Sequence, residues 1–321
     1  MEPAALELTR LPEPLRSSVS RAFVKRWRER AVLIVPSRGD ASDIFFAVRE
    51  LPQGLRTIWK TAMVDGAKHS TLRRIELPGL STVRSLSGAA EASAFAGLAD
   101  VLFVASETAA MLGMAEDECS SNEVVPGLEL CRLDCFSESR ILAQVSADRG
   151  SVISRGTAVS EVWNRYFRPC AKLHSALVLV DRYALAELFS RSPAGLIRLF
   201  EELGAVGQQP DFTLTVFTAR PEDVSESEAI ASALALFRTV KTPALPGVDI
   251  YLTEDSAFSR IAHYRYIRFG DQVCCMLDAG VSVLEGASTT RDHVISAQEF
   301  GSKFRDNENQ LRANSRLYQL R

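Results

Sequence analysis

Short apolar runs alternating with amphipathic stretches predict an α/β fold arranged as two units. Three observations carry this expectation. Runs such as Ala31-Val-Leu-Ile-Val-Pro36 and Ala176-Leu-Val-Leu-Val-Asp181 are continuous, the pattern of strands buried on both faces. Stretches such as Ala194–Leu203 put Leu196, Leu199, Phe200 and Leu203 on one helical face. The turn-rich segment from Asp148-Arg-Gly-Ser151 to Thr157 separates two series of such elements.

Residues 1–30 read as a helical lead-in, because Val19, Phe23 and Trp27 recur at helical spacing with no breaker after Ser17. Residues 31–150 read as an α/β domain with no assigned function. Its strands are expected at 31–36, 72–77, 100–105 and 128–136, and its helices at 43–49, 55–63, 107–114 and 137–145. Ser37-Arg-Gly-Asp40 is turn chemistry, and Glu116–Glu123 a polar loop. That alternation predicts a mostly parallel sheet covered on both faces. Residues 151–173 read as a linker helix centred on Ala158–Phe167. From His174 onward the order β-α-β-α-β-ββ repeats the logic, with strands at 176–181, 212–218 and 248–252. A strand pair at 262–269 and 272–277 is joined at Gly270-Asp271. Residues 301–321 read as a basic helix or tail.

The totals bound the function classes. A hydrophobic content of 46% supports a real core, and a net charge of −3 gives no overall pull toward nucleic acid or anionic membrane. Nucleic-acid binding would need a local basic patch. Met1–Arg30, with seven basic and four acidic side chains, and Gly301–Arg321, with five and two, are the two candidates. No run reaches the ~20 apolar residues of a transmembrane segment. The six cysteines show neither a C-x-x-C pair nor zinc spacing, and Cys274-Cys275 sits in an apolar run. With no signal peptide evident, they suggest a reducing, cytoplasmic setting. No metal or other cofactor is expected: Ser37-Arg-Gly-Asp40 lacks the Gly-Lys-Ser/Thr of a phosphate loop. Asp40, Asp100 and Glu107 stand near strand ends, where a metal nuclease would gather acids. Acids of this kind are more common as solvated surface groups.

The chemistry-bearing segment is His263-Tyr-Arg-Tyr-Ile-Arg-Phe-Gly-Asp271. In a strand, residues two apart share a face, so His263 and Arg265 are expected side by side. A guanidinium grips phosphate oxygens in pairs, while an imidazole attacks phosphorus or donates a hydrogen bond. The alternative role for Arg265 is a partner for Asp181 or Asp271. The strand ending in Asp181-Arg182-Tyr183, a second strand ending in Thr218 and the His263-x-Arg265 strand together resemble the phospholipase-D-like superfamily over residues 176–296. The resemblance implies a lobe, residues 174–300, with a mixed sheet covered by helices. It marks His263, Arg265 and Asp271 as the catalytic positions, and Asp181, Arg182, Tyr183 and Arg268 as phosphate-binding candidates.

Three departures from the family pattern are evident. Arg265 stands at the Lys position, the Asp falls one residue late at 271, and Leu277-Asp-Ala-Gly-Val281 replaces the Gly-Ser-x-Asn element. The segment is similar to the degenerate lobes at the C-terminus of some MIT-domain proteins. The resemblance therefore implies a non-catalytic interaction subunit that recognises a phosphate-bearing ligand, nucleic acid first, or protein partners. Such lobes occur in bacterial multi-gene systems such as antiviral defence. The alternative it leaves open is a nuclease or other phosphodiesterase using His263 across a homodimer.

Overall fold

The computed structural model describes residues 8–31, 33–36, 41–68, 72–75, 86, 88–96, 98–147, 150–189, 195–206, 212–243, 245–271 and 273–321. The chain divides into two compact units, Met1–Ala147 and Asp148–Arg321.

The first unit is α/β, but its described strands form two small sheets instead of one parallel sheet. Strands β1 (Leu33–Pro36) and β2 (Leu72–Ile75) pair in parallel. Strand β3 (Val101–Val104) runs parallel to β5 (Glu129–Arg132), and β4 (Ser120–Ser121) joins β5 antiparallel. The turn expected at 37–40 lies outside the described residues. The described part of the lead-in, from Leu8, is not an appendage. The helix Glu13–Arg30 puts Val19, Phe23 and Trp27 into this unit's core. There Phe23 stacks on Trp59 at 5.6 Å and meets Phe103 and Phe136 edge-on at 5.2 and 5.4 Å. The strand expected at 128–136 is short. After Arg132 the chain turns through a 3-10 segment, Leu133–Glu138, into the helix Arg140–Ala147. Glu129, buried in β5, explains that start. Its carboxylate accepts from Ser139 Oγ at 2.8 Å and from the backbone N–H of Arg140 and Ile141 at 2.7 and 3.1 Å. A carboxylate facing unpaired helix N–H groups is favourable.

The second unit is built on one mixed eight-stranded sheet. Its strands are β6 (Ser151–Ile153), β7 (Ala176–Val180), β8 (Thr213–Ala219), β9 (Val248–Thr253), β10 (Arg265–Phe269), β11 (Val273–Leu277), β12 (His293–Glu299) and β13 (Arg316–Leu320). Their order is β13-β9-β8-β7-β10-β11-β12-β6. Neighbours β7, β8 and β9 are parallel, and every other pair is antiparallel. The segments 176–180 and 213–219, the first continuously apolar and the second mixed with threonine, thus become adjacent interior strands.

Both faces of this sheet are covered, and alternation along each strand explains how. Leu177 and Leu179 of β7, Leu214 and Val216 of β8, and Ile267 and Phe269 of β10 share one core with the helices Gly195–Ala205 and Glu226–Val240. The intervening side chains, Val178, Val180, Phe217 and Tyr266, face a second core with Phe258, Phe304 and Leu311. The helix Glu226–Val240 starts where it should, because Ser225 Oγ accepts from Glu228 N at 3.2 Å and two acids follow in the first turn.

Two expected segments take other forms. Residues 151–173 are not a simple linker helix. They begin with β6, an edge strand on β12, and continue through Val159–Val162, a π-helical turn at Trp163–Phe167 and the helix Arg168–Leu173. Residues 301–321 form the helix Ser302–Ala313 and then β13, the opposite edge strand. The hairpin at Gly270-Asp271 forms as expected, and Gly270 has a structural reason. Its φ is +53°, and a Cβ there would sit 2.4 Å from His174 Nδ1.

Candidate phosphate-binding cleft

Strand β7 ends at Asp181, which is fully buried. Its Oδ1 accepts from the backbone N–H of Tyr183 at 3.0 Å, and its Oδ2 accepts from that of Val281 at 2.7 Å. This carboxylate therefore joins the turn after β7 to the 3-10 segment Gly280–Leu284 after β11. Burial pushes the Asp181 carboxyl above its ordinary range, and the two N–H donors and the Arg265 charge oppose that. Gly280 makes the contact possible. Its φ is +66°, and a Cβ would fall 2.0 Å from Asp181 Oδ2 and 3.0 Å from Arg265 Cδ. The buried Thr218 ties the same turn from the other side, donating to Arg182 O at 3.3 Å and accepting from Leu185 N at 3.4 Å.

Above this turn lies a cleft of about 230 Å³ lined by Arg182, Tyr183, Phe258, Ser259, Ala262, His263 and Arg265. His263 stands two residues before β10 rather than within it, and it is exposed. His263 and Arg265 both line the cleft, His263 from the segment before the strand and Arg265 from its first position. The two guanidinium groups flank one aromatic ring, with Arg182 Cζ 5.2 Å and Arg265 Cζ 5.9 Å from the Tyr183 centroid. Such stacking holds the cations in place without consuming their hydrogen-bond donors. Arg182 is also fixed by a two-point ion pair with Asp255, its Nε lying 2.5 Å from Oδ1. Arg265 donates to the carbonyl of Asp278. Next to His263, Tyr264 is exposed, and Lys303 Nζ lies 4.7 Å from its ring centroid.

The remaining sequence candidates are placed elsewhere. Arg268 is buried on the opposite face of β10, because it lies three positions after Arg265 and alternation reverses the side. It forms a two-point pair with Glu308, Nε to Oε1 at 2.8 Å and the second amino group to Oε2 at 2.7 Å. Burial works against its charge, but Glu308 outweighs this and holds the guanidinium above its ordinary pKa. Arg268 is therefore a structural cation, not a ligand for phosphate. Asp271 sits in the hairpin at the far end of β10, 3.1 Å from Arg268, and does not line the cleft. In the first unit, Asp40 lies outside the described residues. Glu107 is exposed and lies 3.9 Å from Arg10. Among the described residues no group of three or more His, Cys, Asp or Glu is arranged to hold a metal ion.

The basic termini are partly neutralised. Arg28 meets Asp65 at 3.3 Å, Arg316 meets Glu226 at 3.1 Å and Arg321 meets Asp249 at 2.6 Å. No helix among the described residues is long and apolar enough to cross a membrane.

Two features beside the cleft carried no sequence signal. The buried His293, first in β12, has Nδ1 3.2 Å from Asp278 Oδ1. Antiparallel pairing of β11 with β12 brings these residues together across a fifteen-residue separation. Glu187, in the short 3-10 turn Ala186–Phe189, is pushed up to about 8 by burial, with the charges of Asp181 and Glu285 adding to it; Arg265 opposes the shift. Arg265 thus opposes the upward shift at both Asp181 and Glu187.

Comparison with known proteins adds little. No family model matches the chain, and no curated protein matches it. Among solved structures, the phosphatidylserine synthase of Haemophilus influenzae Rd KW20 is similar at a TM-score of 0.28 and 12% identity. The likeness covers 53% of this chain and 40% of that one. The chain therefore spans about two fifths of the length of that relative.

Proposed function

We propose that the second unit is a phospholipase-D-like lobe that binds a phosphate-bearing ligand, nucleic acid foremost, without hydrolysing it. The observation that carries the reading is the cleft itself: Arg182, Arg265 and His263 converge on one opening around Tyr183. Two guanidinium groups over one π face, with an imidazole at the same opening, suit a phosphodiester with an adjoining base. Hydrolysis by the family's route needs a second imidazole to protonate the leaving group. Of the other histidines among the described residues, His174 and His293 are buried, and neither lines the cleft. Neither of these two imidazoles is therefore placed at the cleft to serve as that acid.

The test is fluorescence anisotropy with labelled single-stranded oligonucleotides at low and moderate salt, run alongside hydrolysis of the same strands. Binding is expected to weaken with salt, and about tenfold or more in Arg265→Glu, where a favourable phosphate contact becomes a repulsive one. No turnover is expected from wild type. Hydrolysis that disappears in His263→Ala would replace this reading with a nuclease assembled from two copies. Absence of binding to any phosphodiester would reject the cleft as a phosphate site.

A further inference from the structure

A second aromatic ring stands at the rim of the cleft with a cation of its own. Tyr264 lies in the chain between His263 and Arg265, both of which line the cleft. Alternation turns Tyr264 to the side of Tyr266, the side covered by the helix Ser302–Ala313. The start of that helix is fixed beside it, because the buried Phe304 meets the Tyr266 ring edge-on at 5.1 Å. The preceding residue, Lys303, is exposed, and its Nζ lies 4.7 Å from the Tyr264 centroid. Among the described residues no carboxylate is paired with Lys303, whereas Asp255 clasps Arg182 and Glu308 clasps Arg268. Tyr264 leaves 48% of its surface open and Tyr183 leaves 45%. Core packing therefore accounts for neither ring, and each holds a cation against one face.

We propose that Tyr264 and Lys303 form a second station for the ligand of the cleft, and that this ligand is single-stranded nucleic acid. The inference rests on the reading of the cleft as a phosphodiester site. One base stacks on Tyr183 while Arg265 and Arg182 meet its phosphate. A later base of the same strand stacks on the open surface of Tyr264, and Lys303 meets the phosphate beside it. The strand passes His263 between the two stations. Every base has a π face, so two tyrosines with cations read the presence of unpaired bases and not their order. In a duplex those faces are already stacked on one another. A lipid headgroup or a phosphopeptide brings a phosphate but no base. Such ligands reach the cleft and leave Tyr264 unused.

The experiment measures fluorescence anisotropy of the full chain with three labelled ligands of equal length: an oligothymidylate, the same backbone with abasic sugars, and a duplex. Wild type is expected to bind the oligothymidylate about tenfold more tightly than either of the others, the effect of losing stacked bases. Tyr264→Ala is expected to lose about tenfold with the oligothymidylate and nothing with the abasic strand, while Tyr264→Phe retains wild-type affinity. Lys303→Gln is expected to reduce the slope of log K against log salt by about 0.7, the share of one phosphate on a single strand. The second station is overturned by Tyr264→Ala binding oligothymidylate as wild type does, by an equal loss on the abasic strand, by duplex binding as tight as single strand, or by an unchanged salt slope. In each of those cases binding that still weakens in Arg265→Glu leaves the cleft reading standing. No binding to any of the three ligands, or binding indifferent to Arg265→Glu, would sink both.

Discussion

Arg265 and Arg268 lie on one strand, three residues apart, and meet opposite fates. Arg265 borders an open cleft, stacks near Tyr183 and spends a donor on a backbone carbonyl. Arg268 is enclosed between Glu308 and the Phe300 ring, 4.4 Å from its centroid, with every contact internal to the unit. The lesson is one of parity. A strand delivers its odd and even positions to different faces, so one charged tripeptide spacing yields one cation available to a ligand and one that belongs to the core. Charge alone does not distinguish them; the partner supplied from the helix Ser302–Ala313 does.

The sharpest way to break this contrast is to remove that partner. Glu308→Ala removes the buried partner of Arg268 and leaves only the more exposed Asp271 carboxylate, 3.1 Å away, and we expect a loss of about 3 kcal/mol of stability in urea unfolding. Replacing both residues with apolar ones of similar volume should cost far less, since neither charge is then stranded. Equal losses in the single and double variants would show that the pair contributes through packing alone.

Glu187 tests the other arginine's surroundings through pH. Its folded value of about 8 lies above the ordinary 4.5, so between these limits the folded chain holds a proton that the unfolded chain has released. Stability therefore falls as pH rises from about 4.5 to about 8 and levels off beyond, by proton linkage. Glu187→Gln should flatten that slope, seen as a melting temperature that varies less between pH 5 and 8 than in wild type. An unchanged slope would mean the carboxyl is already ionised in the fold.

The smallest effect is expected at Arg265 itself. Arg265→Ala should change stability by about 1 kcal/mol, as for a partly exposed side chain whose hydrogen bond is to a backbone carbonyl, while weakening oligonucleotide binding. A large stability loss would make Arg265 a second structural cation, and the contrast with Arg268 would collapse.

Much of the second unit was legible before any coordinates. Strand β7 announces itself as a continuous apolar run, β8 and β9 as β-rich runs interrupted by polar residues, and Gly270-Asp271 marks the hairpin. His263, Arg265, Arg182 and Tyr183 were all assigned to one site, and they line one cleft. Strands β6 and β13 were not legible because each is an edge with a mixed surface. Arg316-Leu-Tyr-Gln-Leu320 in particular sits in a stretch whose charge dominates its reading. Arg268 was grouped with the ligand-facing residues although the same alternation that paired His263 with Arg265 excludes it. The His293–Asp278 contact depends on the register of β11 with β12, set across a long connection that carries no periodic signal. In the first unit, alternation suggested one parallel sheet. The described strands are only two to four residues long and divide between two small sheets, a partition that local pattern does not encode.

The strands at the two borders of the eight-stranded sheet come from the start and the finish of the second unit. Seven inter-strand steps at ~4.8 Å separate them, about 34 Å in all. A fusion joined at one end therefore projects from a different margin than one joined at the other, well away from the central strands that carry the cleft. The same arrangement makes those two strands protective trim. Cutting back Arg316–Leu320 would bare the hydrogen-bonding edge of β9, a strand with Val248, Ile250 and Leu252 in its core, and invite pairing between molecules. Shortened versions of this protein should keep both borders intact.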